Sequence, residues 1–341
     1  MSLALQVKKF INSEHTGAFI EIELPKDIDI PRERVKKTVV KEDARREDIE
    51  SVPGDAEPAE GAFQSEGQTE EAPAIKGDAE TVRFHYMEAG SGEPLILVHT
   101  IGQSLYTWRN VFFRLSEHYR VIAVDLLGHG YSDRPRNFDY TISAHSASLI
   151  NFMDAMGIES AHFIGFSMGS MYVLDLVEKH PERAGKVILI SPGGLTPQMP
   201  LAVRMLDSSL FGGLASVLYS LRTVENILEE CFFDLTSITP EVVQEYYVPA
   251  SDGEARRSIR RSLNRFYQDD VISRLREVMN GVLILWAADD KWHHIEIGDF
   301  FHAALPSSQL AVIRNAGHLV HEEKPEKLIT SVMEFIPAVG E

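Results

Sequence analysis

Beyond residue 81 two kinds of hydrophobic pattern alternate along the chain. Leu95–Val98, Val121–Asp125, His162–Ile164, Lys186–Ile190, Val282–Trp286 and Leu310–Ile313 are short and largely apolar. That is the pattern of strands buried on both faces. Between them lie segments of helical period, such as Ile142–Met156, where Leu149, Phe152, Met153 and Met156 recur on one side. The alternation predicts an α/β fold: a mostly parallel, doubly wound sheet with helices on both faces. Val82–Glu88 alternates like an antiparallel strand and Ala89–Pro94 reads as a turn. Further upstream, Ala18–Leu24 alternates apolar and acidic residues, as a half-exposed strand does.

One connection is too long for a crossover helix. Residues 191–281 separate the fourth apolar strand from the fifth, and Leu201–Leu206, Leu210–Leu221, Val224–Phe233, Glu241–Val248 and Glu254–Phe266 all have helical patterning. An all-helical cap is expected over residues 195–271, dividing the core into residues 81–194 and 272–341. The apolar positions Met199, Leu201, Met205, Leu206, Leu210, Phe211 and Leu214 predict a hydrophobic pocket beneath it. Arg256, Arg257, Arg260, Arg261 and Arg265 form a basic stripe at helical spacing. A solvated face, or one docking an acidic segment, explains such a stripe more simply than recognition of a substrate carboxylate.

Charge separates the N-terminal region from the rest. Residues 42–80 hold 13 acidic side chains against Arg45, Arg46 and Lys76, a net of −10 out of −18 for the whole chain. Such a stretch buries too little apolar surface to offset its ordering entropy and reads as a solvated linker. Residues 1–41 are expected to be an accessory segment, a hairpin or an arm that binds a protein partner. The acidic balance argues against nucleic acid, whose phosphates require a basic surface. The single cysteine, Cys231, followed by Phe232 and Phe233, reads as an inert buried thiol and suits a reducing compartment. With no membrane-length apolar run and no signal-peptide layout at the start, a cytoplasmic protein with no membrane association is expected.

The chemistry concentrates in Gly165-Phe166-Ser167-Met168-Gly169, set between a buried strand and a helical pattern. A strained strand–turn–helix elbow lifts the central hydroxyl clear of the sheet, and glycines on either side let strand and helix approach closely. The amide of Met168, at the helix start, then faces negative charge formed beside Ser167.

Order and spacing across residues 81–338 resemble the α/β-hydrolase family, in which nucleophile, acid and histidine follow the fifth, seventh and eighth strands. The resemblance implies Ser167 as nucleophile. Leu285-Trp-Ala-Ala-Asp-Asp-Lys291 is similar to the family's W-G-x-x-D, which places the acid at Asp290 rather than Asp289. Asn315-Ala-Gly-His-Leu-Val-His-Glu-Glu-Lys-Pro325 is similar to its G-H…E-x-P ending, which makes His318 the base and leaves His321 to support a helix start or the surface. The oxyanion hole implied is the amides of Met168 and Ile101. The family's loop begins His-Gly, whereas here His99 is followed by Thr100, with Gly102 nearby. His99 reads as structural, Asp125–Ser132 as loop scaffolding, and His293 and His294 as loop residues.

A serine at the elbow, rather than the aspartate of haloalkane dehalogenases and epoxide hydrolases of this fold, implies attack on an acyl carbonyl. The resulting expectation is a serine esterase acting on a small-molecule ester, with no cofactor and no metal. Carbon–carbon bond hydrolysis, thioester hydrolysis and a perhydrolase-like activity share the same triad. A non-catalytic ligand receptor of this fold, or a scaffold acting through residues 1–80, are the alternatives of other classes.

Overall fold

Alternate residues of one strand point to opposite faces of a sheet, so a strand apolar at every position needs cover on both sides. The computed structural model describes residues 17–24, 80–195 and 219–337 and places such strands at the centre. Eight strands are described: β1 (Ala18–Leu24), β2 (Glu80–Ala89), β3 (Pro94–Val98), β4 (Arg120–Val124), β5 (Ala161–Phe166), β6 (Ala184–Ile190), β7 (Val282–Ala287) and β8 (Ser308–Ile313). They pair in the order β1-β2-β4-β3-β5-β6-β7-β8. β1 and β2 join antiparallel; every pairing from β4 to β8 is parallel.

In β3, Ile96 and Val98 face a core shared with Leu149 and Phe152 of the helix Ile142–Ala155 and with Leu174 of the helix Met168–Lys179. Leu95 and Leu97 face the other way, toward Phe112, Leu328 and Val332. All four β3 side chains have no solvent exposure, each burial contributing about 1.5–3 kcal/mol. The expected doubly wound sheet is the observed one.

β1 corrects an expectation. Ala18–Leu24, foreseen within an accessory hairpin or arm, is the edge strand of the core sheet, with Ile22 opposite Val82. Ile22 and Leu24 are buried while Glu21 and Glu23 face solvent, which is the alternation of its sequence. Residues 1–16 and 25–41 and the acidic stretch up to residue 79 lie outside the described residues, as do the expected helix Leu201–Leu206, most of Leu210–Leu221, and the apolar positions Met199 to Leu214. No helix among the described residues is long and apolar enough to cross a membrane.

The described part of the insertion holds three helices whose starts are capped by side chains. Ser220 and Thr223 form a capping box for Leu221–Cys231, Thr239 accepts from Val242 N ahead of Pro240–Tyr247, and Asp252 accepts from Ala255 N ahead of Gly253–Arg265. The arginine stripe lies on the last of these. Arg261 donates to the carbonyls of Arg136 and Phe138, at 2.6 and 2.8 Å, and Arg265 pairs with Asp139. Two of its members therefore clamp the insertion to a loop of the core. Arg257 pairs with Glu254 on its own helix.

Candidate active site

β5 ends at the elbow. Ser167 has φ 52° and ψ −117°, a left-handed conformation that a non-glycine residue adopts only under constraint. The flanking glycines provide the constraint. A Cβ on Gly165 would come within 2.7 Å of Ser170 Cα, and one on Gly169 within 2.4 Å of the His99 carbonyl oxygen. Strand, turn and helix are in backbone contact that no side chain permits. Ser167 N donates to the Ile190 carbonyl at 2.8 Å and Gly193 N to the Ser167 carbonyl at 3.1 Å, which fastens the turn to the end of β6.

Asp290 and His318 come from the loops after β7 and β8. His318 Nδ1 lies 2.7 Å from Asp290 Oδ2, both side chains almost wholly buried. The other carboxylate oxygen accepts from the amides of Trp292 and His293 at 2.8 and 2.9 Å. Burial alone would raise this carboxyl, but the His318 ring and these donors hold it down at about 2. Asp290 is thus an anion at neutral pH, and the proton between the pair sits on Nδ1. His318 Nε2 is then the ring's free lone pair; it is buried and has no hydrogen-bond partner among the described residues. No hydrogen bond joins it to the Ser167 hydroxyl, although both residues line one cavity. Catalytic hydrogen bonds of this kind commonly shorten only when substrate is bound. Asp289, the other member of the acidic pair, is exposed and accepts from Asn315 N at 3.0 Å.

The loop after β3 carries the departure from the usual glycine. Leu126 N donates to His99 Nε2 at 3.0 Å, so the ring proton is on Nδ1, which donates to the Thr100 carbonyl at 2.6 Å. Gln103 N donates to the same carbonyl at 3.4 Å. That carbonyl and the Ile101 N–H belong to one trans peptide and point opposite ways, so fixing the first orients the second. Ile101 N–H has no acceptor among the described residues. Met168 N donates to the Thr100 hydroxyl at 3.2 Å. Gly102, at φ 73°, supplies the left-handed turn. Asp125 steadies this loop from below, accepting from Leu105 N at 2.6 Å, Tyr131 N at 2.9 Å and His85 Nδ1 at 2.7 Å.

The sequence profile of the alpha/beta hydrolase fold family matches residues 93–325, which run from β3 through the elbow to the segment after His318. The chain belongs to the α/β-hydrolase fold family. A 2-hydroxy-6-oxo-6-phenylhexa-2,4-dienoate hydrolase of Burkholderia cepacia is 30% identical over 261 residues, covering 74% of this chain and 91% of that protein. Two solved structures have the same fold at TM-score 0.66: a meta-cleavage product hydrolase of Pseudomonas fluorescens and a carboxylesterase of Bacillus subtilis. They are 24% and 22% identical, cover 74% and 75% of this chain, and are covered over 94% and 88% of their own lengths.

Around this α/β-hydrolase site lies a buried polar cluster that sequence reasoning missed. His321, expected at a helix start or the surface, lies in the short helix Val320–Glu323 with no solvent exposure, and its Nε2 is 2.6 Å from the Thr107 hydroxyl. Thr107 donates to Glu322 Oε1 at 2.9 Å, Arg109 Nη2 pairs with Glu322 Oε2 at 2.5 Å, and the Tyr246 hydroxyl donates to Glu322 Oε1. Next in sequence, Glu323 accepts from Gly317 N at 2.6 Å and from Phe233 N and Asp234 N at 3.0 and 2.8 Å. The E-x-P ending thus pins the His318 loop to the insertion. Burial keeps His321 neutral, its value pushed well below the ordinary one, with the Arg109 charge acting in the same direction.

His293 and Cys231 are likewise buried. Burial, with the His318 ring beside it, lowers His293 to about 4, and its Nδ1 meets the Ser191 carbonyl at 3.1 Å. Burial raises the Cys231 thiol well above its usual range, so it is a weak nucleophile. Donor atoms of Asp290, His293 and His318 lie within 4.8 Å of one another. The bonds given above already engage both carboxylate oxygens and one nitrogen of each ring. The cavity itself, about 120 Å³, is walled by Ser167, Met168, Thr100, Ile101 and His318 below and by apolar side chains of the insertion above, among them Val224, Leu228, Ile259 and Leu263. Arg256 also reaches its wall.

Proposed function

We propose that this α/β-hydrolase cleaves carboxylic esters of modest size through an acyl-enzyme. The reading rests on a strained serine whose hydroxyl shares a cavity with a histidine that a buried carboxylate holds in one tautomer. A serine hydroxyl is a poor nucleophile until a base takes its proton. His318 Nε2 is free to take it, because Asp290 binds Nδ1–H and stabilises the imidazolium that forms. Ser167 Oγ attacks the acyl carbon, and the amides of Met168 and Ile101 face the oxygen that becomes an anion. Collapse expels the alcohol, which takes the proton back from Nε2. Water, deprotonated by the same nitrogen, then releases the acid and restores the serine. The apolar upper wall favours an uncharged acyl or alcohol group.

Carbon–carbon bond hydrolysis on the same triad is the second reading, favoured by the name of the Burkholderia relative at 30% identity. Two measurements separate the readings. A fluorophosphonate should add once to the wild type, by intact mass, and not to Ser167→Ala or His318→Ala. Turnover is then compared on p-nitrophenyl butyrate and on a 2-hydroxy-6-oxo-dienoate. Preference for the ester, in kcat/KM, supports the first reading; preference for the dienoate replaces it with the second. A folded wild type that takes no label removes the acyl-enzyme altogether.

A further inference from the structure

The oxyanion loop carries a hydroxyl at the position where its family resemblance places glycine. That hydroxyl already accepts a hydrogen bond, from Met168 N at 3.2 Å. It has one proton of its own, and no described residue accepts it. Thr100 is 7% exposed and lines the cavity together with Ser167, Ile101 and His318. An O–H group buried at a reactive serine with no acceptor is a donor that lacks its ligand.

Its surroundings hold it in place. The His99 ring and Gln103 N fasten the Thr100 carbonyl, and Met168 N fastens the hydroxyl. Two unused donors on consecutive residues therefore share this wall: the Thr100 O–H and the Ile101 N–H.

We propose that the Thr100 hydroxyl is a direct donor of the oxyanion hole. Met168 N–H polarises it from behind, and it passes the hydrogen bond to the anion. This deepens the ester-hydrolase reading and rests on it. No proton is transferred: the hydroxyl keeps its hydrogen throughout, and the anion is neutralised by the collapse described above. Where glycine stands, the Met168 amide has no side-chain hydroxyl to bond; here it bonds the Thr100 hydroxyl, and both groups line the wall that the anion meets. A chain N–H···O–H···O⁻ is mutually polarised, and a hydroxyl bonded to an anion makes a shorter, stronger bond than one to a neutral carbonyl. Its contribution therefore grows as the transition state forms, and it belongs in kcat rather than in substrate affinity.

The opposite reading of the same contact is a plug: a hydroxyl that occupies the Met168 amide until substrate displaces it. Thr100→Val distinguishes them, because it keeps the shape and removes the donor. If the hydroxyl is a donor, Thr100→Val should lose about 10²–10³-fold in kcat on p-nitrophenyl butyrate with KM little changed. Its inhibition by a trifluoromethyl ketone, which forms a tetrahedral adduct on the serine, should weaken in parallel. Thr100→Ser should restore most of both. Thr100→Val with kcat equal to or above wild type overturns the proposal in favour of the plug. Loss that Thr100→Ser does not rescue overturns it in favour of packing alone. Should the valine variant fail to fold, the pair Thr100→Ser and Thr100→Ala makes the same comparison with smaller side chains. A folded wild type that neither turns over esters nor takes a fluorophosphonate label fails the underlying reading, a result distinct from a wild type that does both and a valine variant that matches it.

Discussion

The hydroxyl of Tyr246, on a helix of the insertion, donates to the carboxylate of Glu322, four residues after His318. The bond ties the roof of the cavity to the loop that carries the base. Tyr246→Phe leaves Glu322 its bonds to Thr107 and Arg109, so a cost of about 1–3 kcal/mol is expected. Glu322→Ala leaves the Arg109 guanidinium buried and unpaired, for about 3–5 kcal/mol. Urea midpoints of the two variants should fall in that order, and equal midpoints would refute the ranking.

Asp289 and Asp290 are adjacent, but only Asp290 is buried against His318. Asp290→Asn would favour the wrong tautomer of the ring, and a fall in kcat of about 10³–10⁴-fold is expected. Asp289→Asn should stay within a few-fold of wild type. A steady-state comparison of both variants tests the register, and the reverse pattern would move the acid to Asp289.

Among the described residues, five histidines are held below their ordinary pKa, chiefly by burial: His99, His129, His145, His293 and His321. Below pH about 6.5 the unfolded chain takes up protons that these rings refuse in the fold. Their contribution to stability is complete above that pH and falls as pH drops toward the folded values, about 4 for His293 and about 3 for His129. Asp290, depressed to about 2, acts in the same sense only below the ordinary carboxylate range. Thermal midpoints should therefore be level from pH 8 to 7 and decline steeply from 6.5 to 5. His145→Leu, which removes a ring with neither nitrogen partnered among the described residues, should flatten that decline by up to one proton. A midpoint independent of pH over this range would contradict the assignment.

Gly169→Ala would set a methyl group 2.4 Å from the His99 carbonyl oxygen and 2.6 Å from that of Val98. Backbone must move to admit it, at a cost of at least about 1–3 kcal/mol. The same movement shifts the loop that carries Thr100 and Ile101. Loss of kcat larger than the loss of stability explains is expected, measured well below the unfolding temperature.

Much of this architecture is legible in the chain because it depends on local pattern. The apolar runs of β3 to β7 name their own burial, and Gly165-Phe-Ser-Met-Gly169 names its turn, since close backbone approach admits no other residue at the glycines. Thr107, Arg109, Tyr246, His321 and Glu322 carry no such mark. Each is an ordinary polar residue in sequence, and only the fold brings positions 107, 246 and 322 together. Thr100 was legible as a departure but not in its consequence, because one hydrogen bond from Met168 decides what its hydroxyl can do. The arginine stripe is a related case: Arg261 and Arg265 find their partners in the carbonyls of Arg136 and Phe138 and in the Asp139 side chain, which no charge count reveals.

β1 reaches the sheet from far upstream. Residues 25–79 intervene in sequence before β2, yet Ile22 and Val82 meet in register. A pairing made of main-chain bonds and two buried side chains does not need the covalent link that delivers it. A chain begun at residue 80 would keep every residue of the site while baring the edge of β2, an invitation to pair with a second copy. A separate peptide of residues 17–24 could fill the same slot and close it again. The strand thus predicts a divisible hydrolase: residues 80 onward as one piece, and a strand peptide whose addition is expected to close the sheet edge again.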